Sequence, residues 1–102
     1  MNTQEMQIIR SLYNCLSDNG RKIVYSDEDG HEEEIFSLSD LIENIQYTDM
    51  EVLQVLDSTN DYIGSVYLIW GNSPYECISD YSVRLHSIIK PVIAIAKVME
   101  AA

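Results

Sequence analysis

A chain of 102 residues, 46% of them apolar, is too short for two independent hydrophobic cores and too apolar for a disordered tail, so one domain spanning residues 1–102 is expected. Seventeen Asp and Glu against six Lys and Arg give a net charge of −11, which repels DNA, RNA and anionic lipid and argues against direct binding to any of them. The longest nearly apolar stretch, Pro91 to Met99, is interrupted by Lys97 and falls far short of the ~20 residues of a membrane-spanning helix. Residues Met1 to Arg10 lack the basic segment and apolar run of a secretory signal, so the expected location is the cytoplasm. Cys15 and Cys77, with no CxxC spacing, are expected as buried or half-buried free thiols in preference to a disulfide.

In chain order, Met6, Ile9, Leu12 or Tyr13, and Leu16 recur every three to four residues, which predicts a helix from Thr3 to Ser17 stopped by Ser17-Asp18-Asn19-Gly20. Lys22–Tyr25 and Glu34–Phe36 flank Ser26-Asp27-Glu28-Asp29-Gly30, and the Asp-Gly pair predicts a β-hairpin with an acidic tip. Ser37 or Ser39 then caps a short helix carrying Leu38, Leu41, Ile42 and Ile45 on one side and ending near Tyr47.

From Glu51 the period changes. Val52–Leu56 predicts a strand, stopped by the turn formers Asp57 to Asp61. Tyr62 to Trp70 predicts a central strand, with Val66, Leu68 and Trp70 on one face, Ile63, Tyr67 and Ile69 on the other, a bulge at Gly64, and Tyr67 and Trp70 expected in the core. After a turn at Gly71–Pro74, Glu76 to Tyr81 predicts another antiparallel strand, with Cys77, Ser79 and Tyr81 opposite Ile78. Ser82 is expected to cap a last helix running to Glu100, kinked or broken at Pro91. The order αββαβββα fits the α+β class, an antiparallel sheet of about five strands packed by helices.

Charge is segregated along this order. The cations are Arg10, Arg21, Lys22, Arg84, Lys90 and Lys97, so the 61 residues from Ile23 to Val83 hold fourteen acids and no Lys or Arg. Unpaired charges are too costly to bury, so all fourteen are expected at the surface, making one side of the molecule strongly negative. Two readings stay open: a solvated face that keeps the protein soluble, or a surface that draws a cationic groove and occupies it as nucleic acid does. On the second reading the candidate partner-binding residues are Asp27, Glu28, Asp29, Glu32, Glu33, Glu34, Asp40, Glu43, Asp49 and Asp61. Tyr47 and Tyr62 join them as phenols suited to packing against Arg.

Catalytic and metal chemistry lacks its devices. Placing Gly30 at the sixth position of a calcium loop puts Tyr25 first and Phe36 twelfth, where carboxylates are required. His31 beside Glu32–Glu34 alternates faces along a strand and makes a poor cage, and the four glycines form no nucleophile elbow or phosphate loop. No enzyme activity, cofactor or metal is expected.

The segment Val66-Tyr67-Leu68-Ile69-Trp70-Gly71-Asn72-Ser73-Pro74-Tyr75-Glu76-Cys77-Ile78-Ser79-Asp80-Tyr81-Ser82, followed by an amphipathic helix, resembles the C-terminal half of small acidic proteins encoded by bacteriophages and prophages. That resemblance covers about a third of the chain. It implies, by analogy, an inhibitor of host restriction, CRISPR defence or a host DNA-binding protein, some such proteins being DNA mimics. The expected partner is therefore a basic protein in the host cytosol. The other reading is a homodimeric interaction module: Ile88, Ile89, Val92, Ile93 and Ile95 spread over more than one face of the last helix.

Overall fold

The computed structural model describes residues 1–102. Helix α1 (Thr3–Ser17) starts at a reciprocal cap in which Asn2 Oδ1 accepts the Glu5 amide at 2.8 Å and the Glu5 carboxylate accepts the Asn2 amide at 3.2 Å. At its other end the Arg21 guanidinium donates to the Cys15 and Leu16 carbonyls, satisfying groups that the last turn leaves without partners. Ile8, Ile9, Leu12 and Leu16 form its fully buried stripe.

Strands β1 (Lys22–Asp27), β2 (Glu32–Ile35), β3 (Met50–Leu56), β4 (Tyr62–Ile69) and β5 (Ile78–Tyr81) form one antiparallel sheet in the order β2-β1-β3-β4-β5. Helix α2 (Leu38–Asn44) joins β2 to β3, with Ser37 as its cap, and α3 (His86–Ala101) closes the chain. The fold is α+β with the expected element order. The alternation along the strands fixes the layers: Ile23 and Tyr25, Leu53 and Val55, and Val66 and Leu68 point together into a core closed by α1, α2 and α3. The opposite face of the sheet has no helix on it.

Both tight hairpins use one five-residue device. In Asp27–His31 and in Asp57–Asp61, the first residue's amide donates to the last residue's carbonyl, and the fourth residue's amide donates back to the first carbonyl. The leading Asp Oδ1 then accepts the third and fifth amides at 2.9–3.1 Å. The fourth residue takes positive φ, 84° at Gly30 and 70° at Asn60. The turn is thus a three-residue loop with a left-handed last position, tighter in its hydrogen bonding than the Asp-Gly reversal expected from sequence.

Several expectations are corrected. The central strand is β3, and β4 lies beside the edge strand, so Tyr67 sits on the open face with 39% of its surface exposed instead of in the core. A register shift between β4 and β5 turns both Ile78 and Tyr81 toward the helices, where alternation alone had put them on opposite faces. Ser82 does not cap a helix. Its hydroxyl accepts the Ser65 amide at 2.9 Å, and a 3-10 turn at Val83–Leu85 leads into α3. Gly64, where the β3–β4 register also shifts, makes room for this turn, because a Cβ there would lie 2.8 Å from Leu85 and Ser82 side-chain atoms. Pro91 neither ends nor splits α3. It lies on the exposed side, where the Ser87 carbonyl that loses a donor meets water. Cys15 is half-buried and Cys77 buried, both as free thiols, and burial pushes the Cys77 thiol up to about 12. No helix is long and apolar enough to cross a membrane.

Candidate functional site

The expected acidic surface divides in two. The antiparallel register puts the β1–β2 hairpin tip and the start of β3 at one end of the sheet, and the Asp57–Asp61 turn at the other. Seven residues of β3 separate them, roughly 20 Å, more than two Debye lengths of ~8 Å at physiological salt. Charges at one end therefore hardly act on the other.

At the hairpin end, Asp29, His31, Glu43, Asn44 and Tyr47 line one open cleft. The hairpin tip supplies Asp29 and His31, α2 supplies Glu43 and Asn44, and the loop into β3 supplies Tyr47. A hydrogen bond between His31 Nε2 and Asn44 Oδ1 at 3.2 Å joins tip to helix. Met50 donates its amide to Glu28 Oε1 at 2.9 Å, tying the tip to the following loop. Glu32, Glu33 and Glu34 continue the negative surface along the exposed edge strand β2, where three charges also block edge-to-edge pairing with another chain. Asp49 is exposed in the same loop as Tyr47.

The remaining candidates serve other ends. Asp27 holds the hairpin turn and also accepts the Tyr25 hydroxyl at 3.2 Å. Asp40 is half-buried at the start of α2, where its Oδ2 accepts the Phe36 amide at 3.0 Å and its own amide donates to Ser37 Oγ. Asp61 and Tyr62 lie at the far end, away from the cleft. There Lys22 donates to Asn60 Oδ1 at 2.6 Å and Arg84 reaches the Tyr62 carbonyl. The Thr59 hydroxyl, then the Asp61 amide, lower the Asp57 carboxyl below its usual range, with Arg84 adding to this. The sequence gap in cations is consequently filled in space at the Asp57 end, by residues from just outside the interval. The other cations, Arg10, Lys90 and Lys97, ride on α1 and α3.

One acid overturns the rule that all fourteen lie at the surface: Glu51 is 1% exposed. Its Oε1 accepts the Gln46 amide at 2.7 Å and Trp70 Nε1 at 2.6 Å. Its Oε2 accepts the Tyr47 and Thr48 amides at 2.9 and 3.2 Å, and the Tyr25 hydroxyl also donates to it. Gln46 adopts φ 66°, which turns three successive amides toward the carboxylate. Five donors replace the water that burial removes. Burial first, then the hydrogen bond and charge of Glu51, raise the Tyr25 phenol far above its usual range, so it stays a donor. By anchoring residues 46–48, Glu51 gives Tyr47 a fixed base while the Tyr47 ring, 73% exposed, projects over the cleft.

Sequence reasoning missed His31, Asn44 and Glu51 as parts of this end. Strand parity held a signal for Glu51, which shares its face with Leu53 and Val55. No signal paired His31 with Asn44, because that contact depends on where α2 lands. Three or more His, Cys, Asp or Glu side chains arranged to hold a metal ion are found nowhere in the molecule. The fold defines a small α+β protein with three helices on one face of an antiparallel sheet. No known protein family, curated protein or solved structure matches the chain.

Proposed function

We propose that the protein is a non-enzymatic inhibitor or regulator that binds a basic protein through the acidic end of its sheet. In this reading it is phage-encoded, acts in the host cytosol, and covers a surface that otherwise holds nucleic acid, as anti-CRISPR, anti-restriction and DNA-mimic proteins do. The observation that carries the reading is the cation-free cluster formed by Asp29, Glu43, Asp49 and the Glu32–Glu34 edge around the Tyr47 cleft. Carboxylates fixed on a folded body attract a cationic groove over about a Debye length, and an exposed Tyr adds a face on which Arg stacks. The tethered loop keeps these groups in place before binding, which lowers the ordering cost of association.

The test is capture of partners from host lysate across a salt series, with the triple variant Glu32→Lys, Glu33→Lys, Glu34→Lys beside the parent chain. A basic, nucleic-acid-binding partner is expected, released by salt, displaced by its own nucleic acid, and retained at least tenfold less by the variant. Binding that is indifferent to salt and to the three reversals sinks the reading.

A homodimer through α3 is the second reading, favoured by the shallow apolar groove between α1 and α3 that Ile95, Val98 and Met99 line. Light scattering at low and high salt separates the two, since a chain of charge −11 dimerises against its own repulsion.

A further inference from the structure

The face of the sheet turned away from the helices carries an apolar strip bordered by acids. Register fixes its composition. One row across all five strands reads Glu32, Ser26, Val52, Tyr67, Asp80, and all five side chains point to the open side. Met50 and Ile69 pair at one end of the strip and Leu56 and Tyr62 at the other, with one polar pair, exposed Gln54 and buried Ser65, between Val52–Tyr67 and Leu56–Tyr62. Met50, Tyr62 and Tyr67 are 52%, 51% and 39% exposed. The strip follows β3 and β4, two strands or roughly 10 Å wide, and runs for roughly 20 Å. Asp80 borders it directly from β5, and on the other side Glu32 and Glu34 of β2 stand one strand further out, beyond Ser26 and Val24 of β1.

We infer that this strip docks a cationic amphipathic helix of a partner protein. A helix is 10–12 Å across and rises 1.5 Å per residue, so about thirteen residues lie along the strip with an apolar stripe on β3 and β4. Lys or Arg on the helix's two flanks then stand over Glu32 and Glu34 on one side and Asp80 on the other, which is the charge complementarity that selects this occupant. A second copy of the chain, at −11, is opposed by its own charge. The flat area, roughly 200 Å2, is about a quarter of the ~800 Å2 each partner gives to a standard interface. The helix is therefore one part of a contact that the acidic end extends, and in this respect the inference rests on the function proposed above.

The experiment titrates the isotope-labelled chain with a synthetic helical peptide of about fourteen residues, Leu along one face and Lys on both flanks, and with a scrambled peptide of the same composition. The expected result is amide shifts centred on Val52, Tyr67 and Ile69, with at least tenfold weaker binding of the scrambled peptide. Tyr67→Ser and Val52→Asp, each checked for an unchanged circular dichroism spectrum, should each weaken the Leu/Lys peptide at least fivefold. Val98→Ser on α3 should leave its affinity unchanged. Equal binding of the two peptides, no binding of either, or self-association blocking the strip overturns the inference. Shifts confined to Asp29, Glu43 and Tyr47 also overturn it while leaving the acidic-end reading intact, whereas salt-independent capture from lysate defeats that reading without touching the peptide result.

Discussion

The two hairpin ends of the sheet are the same backbone with different surroundings. Asp27–His31 and Asp57–Asp61 share all the backbone-amide hydrogen bonds of the turn, including the carboxylate that accepts two amides, and the left-handed fourth residue. One turn is met by Lys22 and Arg84, while the other carries Glu28 and Asp29 itself and is met by Glu43 and the three glutamates of β2. Local chemistry therefore explains why each turn forms, and it does not explain the excess of charge at the first. An acidic residue in a turn is an ordinary structural device. Acids beyond those the turn uses, gathered where no cation reaches, are what single out the hairpin end.

The largest effect expected on this comparison comes from Glu51, which organises only the hairpin end. Glu51→Ala leaves three amides and an indole without their acceptor and the Tyr25 hydroxyl with Asp27 alone, and should destabilise the fold by roughly 3–5 kcal/mol. Urea unfolding measures this, and a loss below about 1 kcal/mol would mean that the loop bearing Tyr47 does not depend on the carboxylate. A smaller effect distinguishes the turns themselves. Gly30→Ala meets no atom within 4 Å, so its cost is the left-handed backbone alone, about 1–2 kcal/mol. Asn60→Gly at the equivalent position should change the melting temperature by only a degree or two, since both residues tolerate that conformation. Equal losses at the two sites would break the equivalence of the turns.

The smallest effect is in pH. The folded-state pKa of Asp57 is depressed, so its contribution is fully present above the ordinary carboxylate value of 3.8 and is lost as pH falls through the lower folded value. Asp57→Asn should flatten the acid limb of a thermal stability profile below about pH 4. An unchanged acid limb would show that the Thr59 and Asp61 donors do not favour the ionised form.

Much of the fold was legible because its signals are local. The 3.6-residue recurrence from Met6 to Leu16, the Asp-Gly tip and the capping serine before α2 each act within a few residues, and α1 and α2 form where those signals lie. What failed was long-range. Tyr67 reads as core in a run of apolar residues, yet which face of a strand is covered depends on where three helices pack. Pro91 reads as a kink or a break, and the helix is not broken, since the cost of proline falls when the freed carbonyl faces solvent. The candidate site was legible as composition, and its division into two ends was not. Asp61 and Asp29 are equal in sequence terms, and only the antiparallel register brings Lys22 and Arg84 to the turn that holds one and leaves the other's turn without a Lys or Arg.

The amino-acid order by itself determined the class of fold, the element order and the excess of negative charge, since periodicity, turn chemistry and charge counts all operate at short range. The tertiary structure alone decided which acid is buried, which acids share a cleft and which strand face stays open. Those outcomes depend on groups meeting from distant parts of the chain: five donors from three segments converge on Glu51, and the strand pairing that brings them there is set by burial of the core.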